Sequence, residues 1–109
     1  MNTQTISKQN PNIIQLETQY FTEEALRRLP IILKRCIEDF EDFKRDETQD
    51  DLFDVYEYIA EQLSLSTHTI RTWLNRFNPS YPKLDQLENL CRVIGDKKPL
   101  QYIAKEWMK

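Results

Sequence analysis

Along residues 22 to 107, apolar side chains recur three, four and seven positions apart, the spacing that lines one face of a helix. Thr22 opens the first segment as an N-cap, with Glu23 and Glu24 in the first turn, where the helix dipole favours acid. Pro30 interrupts it. A proline in a helix interior costs about 3 kcal/mol. Either a short helix ends near Arg28 and a second starts with Pro30 in its first turn, or one helix kinks. From Ile31 onward Leu33, Cys36, Ile37, Phe40 and Phe43 make a broad apolar face that closes by Arg45. Residues 46 to 51 read as a loop, with Asp50 or Asp51 capping the next helix. Beyond residue 82, Leu84, Leu87, Leu90, Cys91 and Ile94 form a stripe that stops at Gly95, the chain's one glycine and the expected left-handed C-cap. Pro99 then starts a short last helix carrying Leu100, Ile103, Ala104 and Trp107.

Between these segments, Tyr56 to Phe77 reads as two short amphipathic helices joined by a tight turn, a helix-turn-helix spanning about residues 55 to 77. Val55, Ile59 and Leu63 point inward at four-residue spacing, and Ala60 falls where the second helix crosses, so a larger side chain there would hold the helices apart. Ser64 occupies the turn, where positive φ is favoured and glycine is usual. Leu65 plugs the turn into the core. Ser66 is a natural N-cap for the second helix, with Ile70, Trp73, Leu74 and Phe77 facing in. By subtraction the outward face presents Thr67, His68, Thr69, Arg71, Thr72, Asn75 and Arg76, all able to hydrogen-bond and none a carboxylate. Such a face suits a DNA major groove. From Gln62 to Lys83 there are three basic residues and no acid, a local balance of +3 inside a chain of formal charge −3. Neutralising phosphates needs cations where the backbone lies, so this segregation matters more than the total.

Composition narrows the class. At 109 residues the chain holds one domain and a tail, and one glycine with five prolines favours an all-α protein over sheets that need glycine-rich turns. Residues 1 to 20 are polar, with Lys8 their sole cation, and read as a flexible N-terminal arm ahead of a single helical domain over 21 to 109. Ile13 and Ile14 offer that arm a place to pack on a neighbouring subunit. No apolar run is long enough to cross a membrane and no signal peptide is recognisable, so a cytoplasmic protein is expected. Cys36 and Cys91 read as reduced core thiols, and the lone His68 lacks companions for a metal site. No cofactor is expected. Neither a Ser-His-Asp set nor a phosphate-cradling glycine loop can be assembled, so no catalytic site is assigned.

The order of these elements, with Ile70-Arg71-Thr72-Trp73-Leu74, then Pro82-Lys83-Leu84-Asp85-Gln86-Leu87-Glu88-Asn89-Leu90 and Ile94-Gly95, resembles the lambda repressor-like superfamily of DNA-binding domains. The Asn78-Pro79 and Tyr81-Pro82 loop looks most like phage CII-type regulators. The resemblance covers about residues 51 to 105. It implies a bundle of about five helices, with Thr67, His68, Arg71 and Thr72 facing base edges and Ser66, Asn75 and Arg76 reaching phosphates. Tyr56 stands where many relatives place a backbone-contacting Gln.

These readings converge on a sequence-specific transcription regulator, phage or prophage encoded, that binds double-stranded DNA as a homodimer through the helix at 66 to 77 and engages the host transcription machinery. A single recognition helix buries little surface, so pairing over two half-sites is the usual remedy. Dimer contacts are expected from Phe40, Phe43 and the Tyr20-Phe21 region, or from the Trp107 end. The rival is a protein-interaction module, a phage-encoded inhibitor of a host protein. It would use the acidic stretch from Glu38 to Glu61, in which Lys44 and Arg45 are the only basic residues.

Overall fold

A computed structural model of the chain describes residues 21–77 and 80–107. The expectations for the arm at 1 to 20 and for Asn78-Pro79 lie outside the described residues. Five helices and no strand are found among those residues: α1 (Glu23–Thr48), α2 (Val55–Leu63), α3 (Thr67–Trp73), α4 (Leu84–Ile94) and α5 (Lys98–Trp107).

Helix α1 runs unbroken through Pro30, which selects the one-helix alternative, and it continues past Arg45 to Thr48. The lost backbone bond is offset by burial. Leu26, Leu29, Leu33 and Ile37 lie on one stripe with at most 1 % of their surface exposed, and Pro30 is itself fully buried among the largest core side chains. Each buried leucine or isoleucine contributes about 1.5–3 kcal/mol, so the stripe outweighs the proline's helix cost. Beyond Ile37 the helix leaves the core: Phe40 is half-buried and Phe43 is 59 % exposed. Gln49 ends α1 in the left-handed conformation at φ 58°.

The cap of α2 is Asp54, not Asp50 or Asp51. Its Oδ1 accepts from the amides of Tyr56 (3.0 Å) and Glu57 (3.1 Å), while Asp50 instead closes a local turn by accepting from the Leu52 amide at 2.9 Å. The reason lies in Phe53. Its ring packs 5.6 Å from Tyr58, a hydrophobic staple across the helix start, and its carbonyl accepts from Arg45, so the helix does not begin before Asp54.

The remaining termini follow their residue types. Thr22 Oγ1 accepts from the Ala25 amide at 3.1 Å. Gly95 takes φ 68° and its N–H bonds to the Cys91 carbonyl. Pro99 falls in the first turn of α5, one residue after its start.

α1 packs against α2, α4 and α5; α2 also holds α3 and α4, and α4 holds α5. Leu87, Leu90, Ile59, Ile70 and Trp73 complete the shared core with the α1 stripe. Tyr102 ties α5 to α1 by donating to the Ala25 carbonyl at 2.7 Å, and Phe21 is buried against Trp107 with ring centroids 5.5 Å apart. Phe21 therefore serves the interior rather than an open dimer surface. No helix among the described residues is long and apolar enough to cross a membrane.

Candidate nucleic-acid interface

The junction of α2 and α3 turns on two serines. Ser64 adopts φ 56°, and the Leu65 amide reaches back to the Ala60 carbonyl at 2.9 Å. Ala60 is buried and Leu65 is half-buried at the turn. Ser66 then caps α3: its Oγ accepts from the Thr69 amide at 3.1 Å and lies 2.9 Å from the Thr69 hydroxyl. Ile70 and Trp73 anchor the inner side of α3 and are almost wholly buried.

Helix α3 is shorter than the expected 66 to 77. It ends at Trp73, and Phe77, expected inside, is 92 % exposed. The backbone tightens there. The Leu74 and Asn75 amides bond to the Arg71 and Thr72 carbonyls, and the Ser80 amide also takes the Thr72 carbonyl at 3.2 Å. Asn75 Oδ1 accepts from the Phe77 amide at 3.0 Å, a local side-chain turn that competes with continued helix. Leu74 remains half-buried. Asn75 and Arg76 thus belong to a turn beyond α3, not to its outward face.

The outward side of α3 itself carries exposed His68 and Arg71 with half-buried Thr67 and Thr72. Arg71 does not extend freely. Its guanidinium carbon sits 4.4 Å from the centroid of the half-buried Tyr56 ring, the second residue of α2. Such a contact at an exposed site is worth about 0.5–1 kcal/mol and narrows the directions the guanidinium samples. Burial pushes the Tyr56 hydroxyl above its ordinary pKa, Arg71 pulls it back down, and Glu41, Glu38 and Asp54 push it further up. The phenol therefore keeps its proton and remains a donor. Thr72 donates its hydroxyl proton to the Thr69 carbonyl at 2.6 Å, so toward any other group its oxygen can only accept. Ser66 and Asn75 likewise use side-chain oxygens on local backbone amides.

A second element borders this surface. Lys34, from α1, lines one shallow groove with Tyr56, Arg71, Leu74 and Asn75. The next groove along α1 joins Lys34, Arg35 and Glu38 to Arg76, and a third joins Glu24, Arg27, Arg28 and Ile31 to Arg76 and Phe77. Glu38, at the head of the acidic stretch, is thus a direct neighbour of this surface rather than remote from it. Counting charge by blocks of sequence hid these α1 cations, because residues 1 to 61 hold 7 basic and 14 acidic residues. Sorting α1 by helical phase would have found them. Residues 24, 27, 28, 31, 34, 35 and 38 are three, four or seven apart and share a face.

Comparison with protein-family models, with curated proteins and with solved structures finds no match to this chain.

Proposed function

We propose that the chain is a sequence-specific DNA-binding protein of the helix-turn-helix class, with α2 and α3 as the motif and α3 entering the major groove. The particular reading is a lambda repressor-like regulator of phage or prophage origin, acting as a homodimer on a two-part operator. The observation that carries it is the solvent-facing, carboxylate-free side of α3, where Arg71 is braced on Tyr56 and Lys34 stands alongside.

Each residue has a task the geometry allows. Arg71 is the base reader: its guanidinium can grip guanine O6 and N7 with two bonds, worth about 1–3 kcal/mol of discrimination. Thr72, with its hydroxyl proton spent internally, offers a methyl to thymine or an acceptor to an amino group. His68 and Thr67 flank the N-terminal end of α3, and Arg76 meets phosphate from the turn. Seven residues of helix span about 10 Å. That reach covers a few base pairs, which is why two copies on half-sites about 34–36 Å apart are part of the reading.

Fluorescence anisotropy on mixed-sequence duplex DNA tests it, at about 50 and about 200 mM salt. Binding that weakens at least tenfold at the higher salt, and that falls again when Arg71→Ala and Arg76→Ala are combined, is the expected result. Undetectable affinity at both salts, or affinity indifferent to the two substitutions, removes DNA as the partner. Selection from a random duplex library should then yield a two-fold symmetric consensus if the homodimer reading holds.

One observation favours a second reading, in which a protein is the partner. Phe43, near the far end of α1, is 59 % exposed, and Leu52, in the turn before α2, is 90 % exposed; both lie within the acidic stretch. Exposed apolar side chains in an acid-rich stretch suit a basic, partly apolar protein surface, such as one on the host transcription machinery.

A further inference from the structure

α1 carries six basic residues, and they divide into two groups. Arg28 pairs with Glu24 at 3.3 Å, Lys44 with Glu47 at 3.5 Å and Arg45 with Glu41 at 3.3 Å. Arg27, Lys34 and Arg35 enter no ion pair among the described residues, and all three are exposed. These same three line the grooves that lead to Arg76 and Arg71. Arg76 is shared by two of the grooves and Lys34 by two, so the three grooves form one continuous track along α1. Five cations with no ion pair among the described residues therefore share one side of the molecule; of the two carboxylates that line the same grooves, Glu24 is held by Arg28 and Glu38 stands at the far end.

We propose that the N-terminal half of α1 is a phosphate-binding ledge, on which Arg27, Lys34 and Arg35 engage the sugar-phosphate backbone of a DNA duplex next to the segment held by α3. The proposal rests on the DNA-binding reading given above and extends its footprint to a second element. The spacing suits a duplex. Lys34 lies about 10 Å along the helix axis from Arg27 at 1.5 Å per residue, roughly three base-pair steps at 3.4 Å each. Contacts of this type fix register and add affinity without reading sequence. Glu38 closes the track at its far end and sets a limit: a duplex that continued along α1 past Lys34 would meet a run of carboxylates. The electrostatics therefore confine the duplex to the N-terminal half of α1.

The test uses the full chain with Arg27→Ala, Lys34→Ala and Arg35→Ala combined, binding a mixed-sequence duplex of about two helical turns over about 50 to 200 mM salt. Removing one cation that neutralises a phosphate lowers the slope of log affinity against log salt by about 0.9, so removing all three lowers it by about 2.7. At the lowest salt the variant should bind at least tenfold more weakly. It should also discriminate between sequences as the parent chain does, whereas Arg71→Ala should alter that discrimination. Exchanging each cation for the other kind, Arg27→Lys, Lys34→Arg and Arg35→Lys, should restore affinity and slope, because a phosphate ledge needs charge rather than a particular fork of donors. Circular dichroism melts check that each variant folds; all three side chains are exposed, so little change is expected. If the parent chain binds DNA and loses it with Arg71→Ala and Arg76→Ala, but the triple alanine variant keeps both affinity and slope, the ledge is wrong and the α3 reading stands. If the parent chain binds no DNA, both fall together.

Discussion

Of the three described positions in the left-handed region, Ser64 and Gly95 make opposite sequence choices. Ser64 has φ 56° at the turn between α2 and α3, and Gly95 has φ 68° at the end of α4. An L-residue with a Cβ is disfavoured there by about 1–2 kcal/mol, whereas glycine costs more entropy on folding. Ser64→Gly should therefore raise stability by about 0.5 kcal/mol. Nothing lies within 4 Å of a Cβ placed on Gly95, so Gly95→Ala should lower stability by conformational cost alone, about 1 kcal/mol. Thermal melts would show shifts of opposite sign, about 2–4 °C upward for the first and about 4–8 °C downward for the second. Shifts of the same sign would mean that a contact, not the backbone, decides these positions.

At the scale of elements, helix starts were legible where a cap stood alone and were misplaced where several competed. Thr22 and Ser66 each precede a clean apolar stripe and cap as their residue types require. Before α2, Asp50, Asp51 and Asp54 all qualify, and the deciding residue is the apolar Phe53. The pattern Asp54 to Glu57, an acid three residues after an aspartate and preceded by an aromatic, was the local signal available. Asp54→Ala should cost about 1 kcal/mol in urea unfolding, and Asp50→Ala much less, since Asp50 holds only a surface turn. Equal losses would overturn the cap assignment. The end of α3 was harder to read. Leu74 and Phe77 continue the helical spacing, yet Asn75 draws the Phe77 amide to its own side chain, and Phe77 is left in solvent.

Across the whole molecule, two buried thiols lie in the core, Cys36 on α1 and Cys91 on α4. Burial first, and then the neighbouring Asp96 carboxylate, push Cys36 from an ordinary 9.0 up to about 12. Burial raises Cys91 as well, against a lowering from the Leu100 backbone. A thiol whose folded pKa exceeds its unfolded one stabilises fully below the unfolded value and loses that contribution as pH rises. Stability should thus decline from about pH 9 toward pH 12, and Cys36→Ala should flatten the decline while lowering stability at neutral pH. Urea midpoints across that range measure it. Alkylation of both thiols should be slow in the folded chain and accelerate in step with unfolding, because the nucleophile is the thiolate and both groups are buried.

The all-helical class, most of the stripes that form the core, the buried thiols and the left-handed turns at Ser64 and Gly95 follow from local chemistry. Spacing, capping and backbone sterics act over a few residues, so they are written in the chain itself. Only the tertiary structure decided three other features: that α1 passes through Pro30, that Tyr56 stacks on Arg71, and that Lys34 borders α3 while Arg35 and Arg27 border the turn after it. Each depends on residues distant in sequence being brought together. Burial summed over the whole core outweighs one proline, and the charges that matter to a ligand are those that share a surface, whatever their order along the chain.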